Sequence, residues 1–544
     1  MNAKFEQFDA LLISGRKITA VGPEALINNN LSPFTKIVDL RGKTVLPGFI
    51  DAHSHFPSSG LTHAGLNLTP PPVGKVSTLR LLLDTVKEEV NSVSRGDWVV
   101  GFNYDDASLD IARHPTRDEL DSVSPENPVY LWHRSGHMGV ANSLALKALG
   151  HEALTFSEKP EIDGPDRDAA GRLTGLLQEG AAPRLSFLLR KMQWSRLIGS
   201  LLAARDEYLA AGVTTVQNGF ADLPSMRLLK WSQRLGVLPQ RVVVWPAHDK
   251  LAGVMDPPSD VAESSNVSDR LPQALGWPEN SDRFSISALK LIVDGSPQGR
   301  TAWLTQPYLP KATNGVAAAD EHYHGHPSMP AQEFKEWVNR YQKAGFQLAI
   351  HGNGDAAIDL IISTLEAAQA KYPTEDVRHI LVHGQIIRAD QLSALAEMGV
   401  SVTFFPSHTY FWGDWYRTSV LGSERAQHIS PLAAAESMGV RYSLHSDAPV
   451  TPISPLDIVW SSTTRTTLSG VQLGPQYRIS REQALRSLTI DAAWQNHLEY
   501  EVGSLETGKF ADFIILSGDP LTEPDARTIN VEEVWIDGKR RYSN

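Results

Sequence analysis

The stretch "VLPGFIDAHSHF", residues 45–56, places His53 and His55 one residue apart at the end of an apolar run that reads as a buried strand. Side chains two apart on a strand project to the same side, so both imidazoles can reach one ion. By itself such a pair is more often a hydrogen-bonded surface feature than a metal site. Three more apolar runs deliver a ligand-capable residue at their ends: "FQLAIHG" carries His351, "HILVHG" carries His383, and Asp447 lies just past "RYSLHSD". The chain has no cysteine, which excludes disulfides, thiolate nucleophiles, Cys-ligated zinc and iron–sulfur clusters. Imidazole and carboxylate are left as the ligands for a divalent cation.

Lys290 is the unusual member. In "SISALKLIVDG", Ile286, Ala288, Lys290, Ile292 and Asp294 alternate with Ser287, Leu289, Leu291 and Val293, and strand periodicity puts Lys290 on the inward face. A buried ammonium is costly unless paired. Two explanations stand side by side. One is an ion pair with Asp294 or Asp447; the other is a neutral amine that has reacted with carbon dioxide, giving a carbamate able to bridge two divalent ions.

Bringing these residues together requires elements that end at one edge. Eight strand-like runs follow one another at 45–53, 212–219, 241–246, 285–295, 346–352, 379–384, 400–406 and 441–447, most of them followed by a helical pattern such as "DAAIDLIISTLEAAQAKY". Such alternation specifies a parallel α/β architecture, and eight repeats close most economically as a (β/α)8 TIM-like barrel with its active site at the C-terminal ends of the strands. The expected division is 48–56 and 201–497 for the barrel, 57–200 for a subdomain inserted over its mouth after strand one, and 1–47 with 498–544 for a small β-domain built from both chain ends. At 544 residues the chain can bury a large core, and 42% hydrophobic with 21% charged residues is ordinary for a water-soluble protein. The formal charge of −12 argues against nucleic acid as partner. The N-terminus has no basic region followed by a long apolar one, and no apolar stretch reaches membrane-spanning length, so neither export nor a membrane partner is expected and the cytoplasm is the expected location. A homodimer is among the open oligomeric states.

The segments "PGFIDAHSH", "ALKLIVDGSPQGRTAWL", "IHGNGDAAID", "LVHGQ", "FFPSHTYFWGDWY", "SLHSDAPVTPISPL" and "VGSLETGKFADFIIL" resemble the amidohydrolase superfamily, in particular its third amidohydrolase family, which includes N-substituted formamide deformylases. The resemblance implies a (β/α)8 barrel flanked by a small β-sandwich, with metal ligands on strands one, four, five, six and eight, where His53, His55, Lys290, His351, His383 and Asp447 fall. It further implies one or two divalent ions, zinc being expected, with carboxylated Lys290 as bridging ligand. Many relatives carry an extra N-terminal strand and turn ahead of the segment matching "ALLISGRKITAVG", which makes a reduced small domain the expectation here. On this reading a metal-activated water hydrolyses a small linear amide or N-substituted formamide, and Asp447 passes the proton from the water to the leaving nitrogen. A cyclic amide hydrolase or ring deaminase using the same site, and a catalytically silent regulatory protein, are the alternatives.

Beyond strand seven, the aromatic cluster of "FFPSHTYFWGDWY" has two readings, core or interface packing, or an apolar substrate pocket walled by Phe405 and Tyr410 with His408 as a candidate catalytic group, a hydrogen-bond donor to the substrate. In the insertion, Tyr104, Asp105, Trp132, His133 and His137 are candidates for the pocket roof, and Asp294 and Arg300 for substrate contacts; each has an ordinary structural explanation too. His322, His324 and His326 cluster in "HYHGHP", which reads as a surface loop. The G-x-G-x-x-A match in "HGNGDAAID" is better explained by a metal-ligating His351 with Asn353 and Asp355 capping a helix than by dinucleotide binding. No nucleophile elbow or phosphate-binding loop occurs.

Overall fold

The apolar run that opens the site breaks at Gly48. Thr44–Pro47 pairs antiparallel with Phe513–Leu516, whereas Phe49–Ile50 pairs parallel with Val213–Ala221. The single strand expected over 45–53 is thus two strands in two sheets. The reason is steric, since a Cβ on residue 48 would lie 2.2 Å from the Thr214 side chain, and glycine alone allows so close a crossing.

This computed structural model describes residues 2, 4–28, 31–151, 165–168, 170–178, 181–183, 185–251, 267–277, 280–310 and 322–544. Parallel pairing runs through Phe49–Ile50, Val213–Ala221, Arg241–Pro246 and Phe284–Ile286 as one sheet. A second sheet contains Leu289–Ile292, Leu348–Gly352, Ile380–His383, Ser401–Phe404 and Tyr442–Leu444. The fourth expected strand is therefore interrupted at Ser287 and Ala288, and a bridge between Ala247 and Lys290 links the sheets there. At the other seam the Asp447 amide donates to the His53 carbonyl at 3.2 Å and the His55 amide to the Ala448 carbonyl at 2.9 Å. First and last strands thus meet at the edge that carries the ligand-type residues.

Alternate positions on these strands serve two cores. Leu289, Leu291, Leu348 and Ile350 join the main apolar cluster with Phe334 and Val338 of helix Ala331–Lys343 and Ile358 and Ile361 of helix Asp355–Lys371. Val243, Trp245, Ala288, Ala349 and Val382 form a smaller cluster. Lys290 shares the parity of Ala288 and is buried beside Trp245, its Nζ 5.8 Å from the ring centroid.

The chain ends meet in an antiparallel sheet of Thr44–Pro47, Phe513–Leu516, Val531–Ile536 and Lys539–Ser543, joined to the hairpin Ala10–Ser14 and Lys17–Gly22 by a bridge from Lys17 to Phe510. Buried Arg241 bonds Asp512 at 2.8 Å and Asp537 at 2.7 Å, tying a parallel strand to this sheet. Between Phe56 and Trp194 stands a separate five-stranded sheet of Leu66–Asn67, Val99–Tyr104, Val129–His133, Met138–Ala141 and Leu176–Gln178; residues 152–164 of the expected insertion lie outside the described residues. Among the described residues no helix is long and apolar enough to cross a membrane.

Gly48→Ala should destabilise the protein by about 1–3 kcal/mol through overpacking, lowering the thermal midpoint. Thr214→Ala in the same chain should recover part of that loss, since it removes the two nearest atoms of the clash.

Candidate active site

All six residues expected to ligate metal converge at the C-terminal edge of the parallel strands. Asp447 is the centre of the group: His55 Nε2 stands 3.2 Å and His53 Nε2 3.6 Å from its Oδ1, and His383 Nε2 3.9 Å from its Oδ2. Lys290 Nζ lies 3.1 Å from His53 Nε2, and His351 Nδ1 lies 3.0 Å from His383 Nε2. His53, His383 and Asp447 each present one ligand atom within 4.8 Å of the others. His383 and Asp447 have φ of 78° and 53°, left-handed conformations that non-glycine residues adopt where surrounding structure imposes them, often at active sites.

The electrostatics of the group fit a cation. Burial holds the imidazoles of His53, His351 and His383 well below the usual histidine range, so they are neutral donors. Burial would raise the Asp447 carboxyl, but the His55 contact, with His383 and His53 close by, holds it well below the usual carboxylate range. Its buried Oδ1 has His55 Nε2 at 3.2 Å as its nearest ion-pair partner. His53 Nδ1 faces Gln217 Oε1 at 3.1 Å; an amide oxygen only accepts, so the proton sits on Nδ1 and the Nε2 lone pair is left to accept from Lys290 Nζ at 3.1 Å, with Asp447 Oδ1 at 3.6 Å. Neutral imidazoles and a carboxylate gathered this closely form a donor set suited to a divalent metal. Burial lowers the Lys290 amine to about 7, against the pull of Asp447.

Two contributors were missed from the sequence. His445 is buried, with Nε2 3.1 Å from His383 Nδ1 and Nδ1 3.0 Å from Thr403 Oγ1. It stands two residues before Asp447, the same spacing that drew attention to His53 and His55, so strand parity could have found it. Gln217 lies on a neighbouring strand with no motif to mark it.

A cleft opens beside Asp447, His351 and His383, lined also by Ser135, His137, Ser296, Gln298, Asn353, Phe405, His408 and Val450. It brings together His137, Phe405 and His408 of the expected substrate contacts, with the His137 ring 5.4 Å from that of His351. Its wall is mostly polar, which corrects the expected aromatic pocket. Tyr410 turns away to pack on Trp460 at 5.4 Å, because the helix Ser407–Trp415 buries His408 and Trp412 on one face and turns Tyr410 off it. Trp132 packs on Tyr130 within the insertion. The guanidinium of Arg300 donates to the carbonyls of Leu309, at 2.7 Å, and Ser419, leaving it to brace loops. Asp294 acts behind the cleft: its carboxylate accepts from the amides of Asn353, Gly354 and Trp303 at 2.8–2.9 Å and lies 3.5 Å from His351 Nε2, while burial raises it to about 7. His324 Nδ1 is 3.0 Å from the Leu304 carbonyl and His326 Nδ1 3.5 Å from that of Pro327; neither they nor His322 lines the cleft.

The insertion is latched to the cleft by a buried network. Tyr104 bonds His114 at 3.0 Å rather than facing the cleft. His133 bonds Asp106 at 3.1 Å, and Asp105 accepts from Trp412 Nε1 at 3.1 Å and from Arg134 at 3.4 Å. Arg134 donates in turn to the Val450 carbonyl at 2.8 Å. Burial would lower His133, but hydrogen bonds to Asp105 and Asp106 and their charges push it up to about 9.

Residues 36–542 match the model of the amidohydrolase family. The chain is 30% identical over 543 residues to an N-substituted formamide deformylase from Arthrobacter pascens, covering 98% of this chain and 94% of that protein. Two crystal structures of uncharacterized metal-dependent hydrolases share the fold. The one from Pyrococcus horikoshii OT3 has a TM-score of 0.70 at 23% identity, covering 96% of each chain. The one from Pyrococcus furiosus has a TM-score of 0.68 at 25% identity, covering 95% of this chain and 96% of that one.

Two outcomes are expected. Gln217→Leu should weaken metal retention roughly ten- to a hundredfold, as loss of a partner that orients a ligating histidine does, read by competition with a chelator. The His133 network stabilises the fold fully below the ordinary histidine value of 6.5 and loses that contribution as pH rises through about 9. The thermal midpoint of the wild type should therefore fall over that window more than that of His133→Gln.

Proposed function

The chain belongs to the amidohydrolase family and is a metal-dependent hydrolase of carbon–nitrogen bonds; from that membership we propose that it hydrolyses a small linear amide, with N-substituted formamides as the leading class. The observation that carries this reading is the convergence of four histidines and Lys290 with Asp447 beside a cleft. The fold proposed to present it is a (β/α)8 barrel made of the two parallel sheets, with residues 57–200 over its mouth and a small β-sandwich from 1–47 and 498–544.

His53, His55 and Asp447 would hold one divalent ion, and His351 and His383 a second where two are bound, zinc being the proposed metal. Lys290 as a carbamate would bridge them: its amine, brought to about 7 by burial, is partly neutral near neutral pH, and attack of that nitrogen on carbon dioxide forms an N–C bond and releases a proton. When bound, the cation supplies Lewis acidity that makes water a better nucleophile and an amide carbonyl a better electrophile. Asp447 accepts the proton from the attacking water and delivers it to the departing nitrogen. Asp294 and Asn353 fix His351 from behind. Hydrolysis on this scheme passes through no covalent enzyme intermediate. The natural substrate on this reading is a small molecule that reaches Asp447 through the cleft.

Metal analysis of purified protein together with turnover of a panel of linear formamides and cyclic amides tests the proposal. Linear formamides should be hydrolysed and the cyclic compounds not; a protein that holds no divalent metal and yet hydrolyses the panel fully would end it. Asp447→Asn should cut kcat by at least roughly 10²–10⁴-fold with the fold retained. Lys290→Ala in bicarbonate buffer should lose metal, and undiminished metal content in that variant would remove the bridging carbamate.

A further inference from the structure

His408 is held so that only one of its ring nitrogens can carry the proton. The helix Ser407–Trp415 runs on into a π-helical turn, Tyr416–Val420, a feature frequent at functional sites. Tyr416 thereby stacks on His408 with ring centroids 5.8 Å apart, and its hydroxyl is hydrogen-bonded to His408 Nδ1. The same hydroxyl donates to Gln298 Oε1 at 3.3 Å. A hydroxyl has one proton and an amide oxygen can only accept. With the Tyr416 proton committed to Gln298, His408 Nδ1 must be the donor to the Tyr416 oxygen.

A neutral imidazole protonated at Nδ1 has a lone pair at Nε2. Burial keeps the ring neutral, lowering His408 to about 3. Phe405 and Trp412, with ring centroids 4.3 and 4.8 Å from that of His408, fix its plane, and Trp415 Nε1 donates to the Gln298 carbonyl at 3.3 Å. The ring lines the cleft together with Asp447 and His383. Among the described residues no protein group bonds its Nε2.

Resting on the functional reading above, we infer that His408 Nε2 accepts a hydrogen bond from the N–H of the scissile amide, and that Tyr416 and Gln298 are positioning residues that set its tautomer. The enzyme then selects primary and secondary amides over substrates that lack an N–H. A tertiary amide or an ester leaves the Nε2 lone pair buried against carbon or oxygen, a mismatch that polar sites reject strongly. On this inference His408 accepts from the substrate, where the sequence reading has it donating, because the tautomer is set by residues 8 positions later and on another loop.

Neutron diffraction from crystals of the perdeuterated, metal-loaded enzyme should show a deuteron on His408 Nδ1 and none on Nε2; a deuteron on Nε2 overturns the inference without any variant having to fold. The second measurement compares an N-alkylformamide with the isosteric alkyl formate, which lacks only the N–H. Tyr416→Phe frees the tautomer and should lower kcat/KM for the formamide roughly tenfold or more, leaving the ester within about twofold. Equal losses for both substrates, or no loss for the formamide, overturn the inference alone. Failure of the wild-type enzyme to hydrolyse any amide removes the functional reading and this inference with it.

Discussion

The carboxylate of Asp447, buried among imidazoles that are themselves neutral, is the constraint on which the rest of the molecule depends. A buried anion persists there only because donors are gathered around it. Its neighbours arrive from positions hundreds of residues apart, so the parallel sheets must bring their ends to one edge before the charge can be balanced. The backbone shares in this: the same residue donates its amide to the His53 carbonyl and joins the first strand to the last. Left-handed φ values at His383 and Asp447 are the local cost of aiming both side chains at one point.

Around that centre, polar groups are arranged in pairs that fix protons. Gln217 takes the Nδ1 proton of His53, and the Gln298–Tyr416 pair draws the Nδ1 proton of His408 outward. In both, an acceptor that cannot donate determines what the other face of the imidazole offers. The insertion contributes at a distance, since the Asp105, Arg134 and Trp412 contacts place Ser135 and His137 on the cleft wall.

Much of this was legible in the sequence because strands have a period of two. His53 with His55, and Lys290 with Ala288, follow from parity, and the order of apolar runs gives the order of strands. What parity could not give was where a run changes sheets: "VLPGFIDAH" is continuous in hydrophobicity, and the crowding by Thr214 that breaks it at Gly48 comes from a segment far along the chain. Aromatic residues beyond strand seven were harder still. A helix distributes them around 3.6 residues per turn, so His408 and Trp412 share a buried face while Tyr410 leaves it. Arg300 and Trp132 look like site residues by type, yet carbonyls from other loops and the packing within the insertion claim them.

The pairing of Thr44–Pro47 with Phe513–Leu516 has a bearing on biosynthesis. At ordinary elongation rates the later strand leaves the ribosome on the order of 20–100 s after the earlier one. During that interval an apolar strand with free backbone donors and acceptors has no partner, and a polypeptide cut short before the later strand never acquires one. The small sheet that joins the chain ends can therefore close only after all of the parallel strands have left the ribosome.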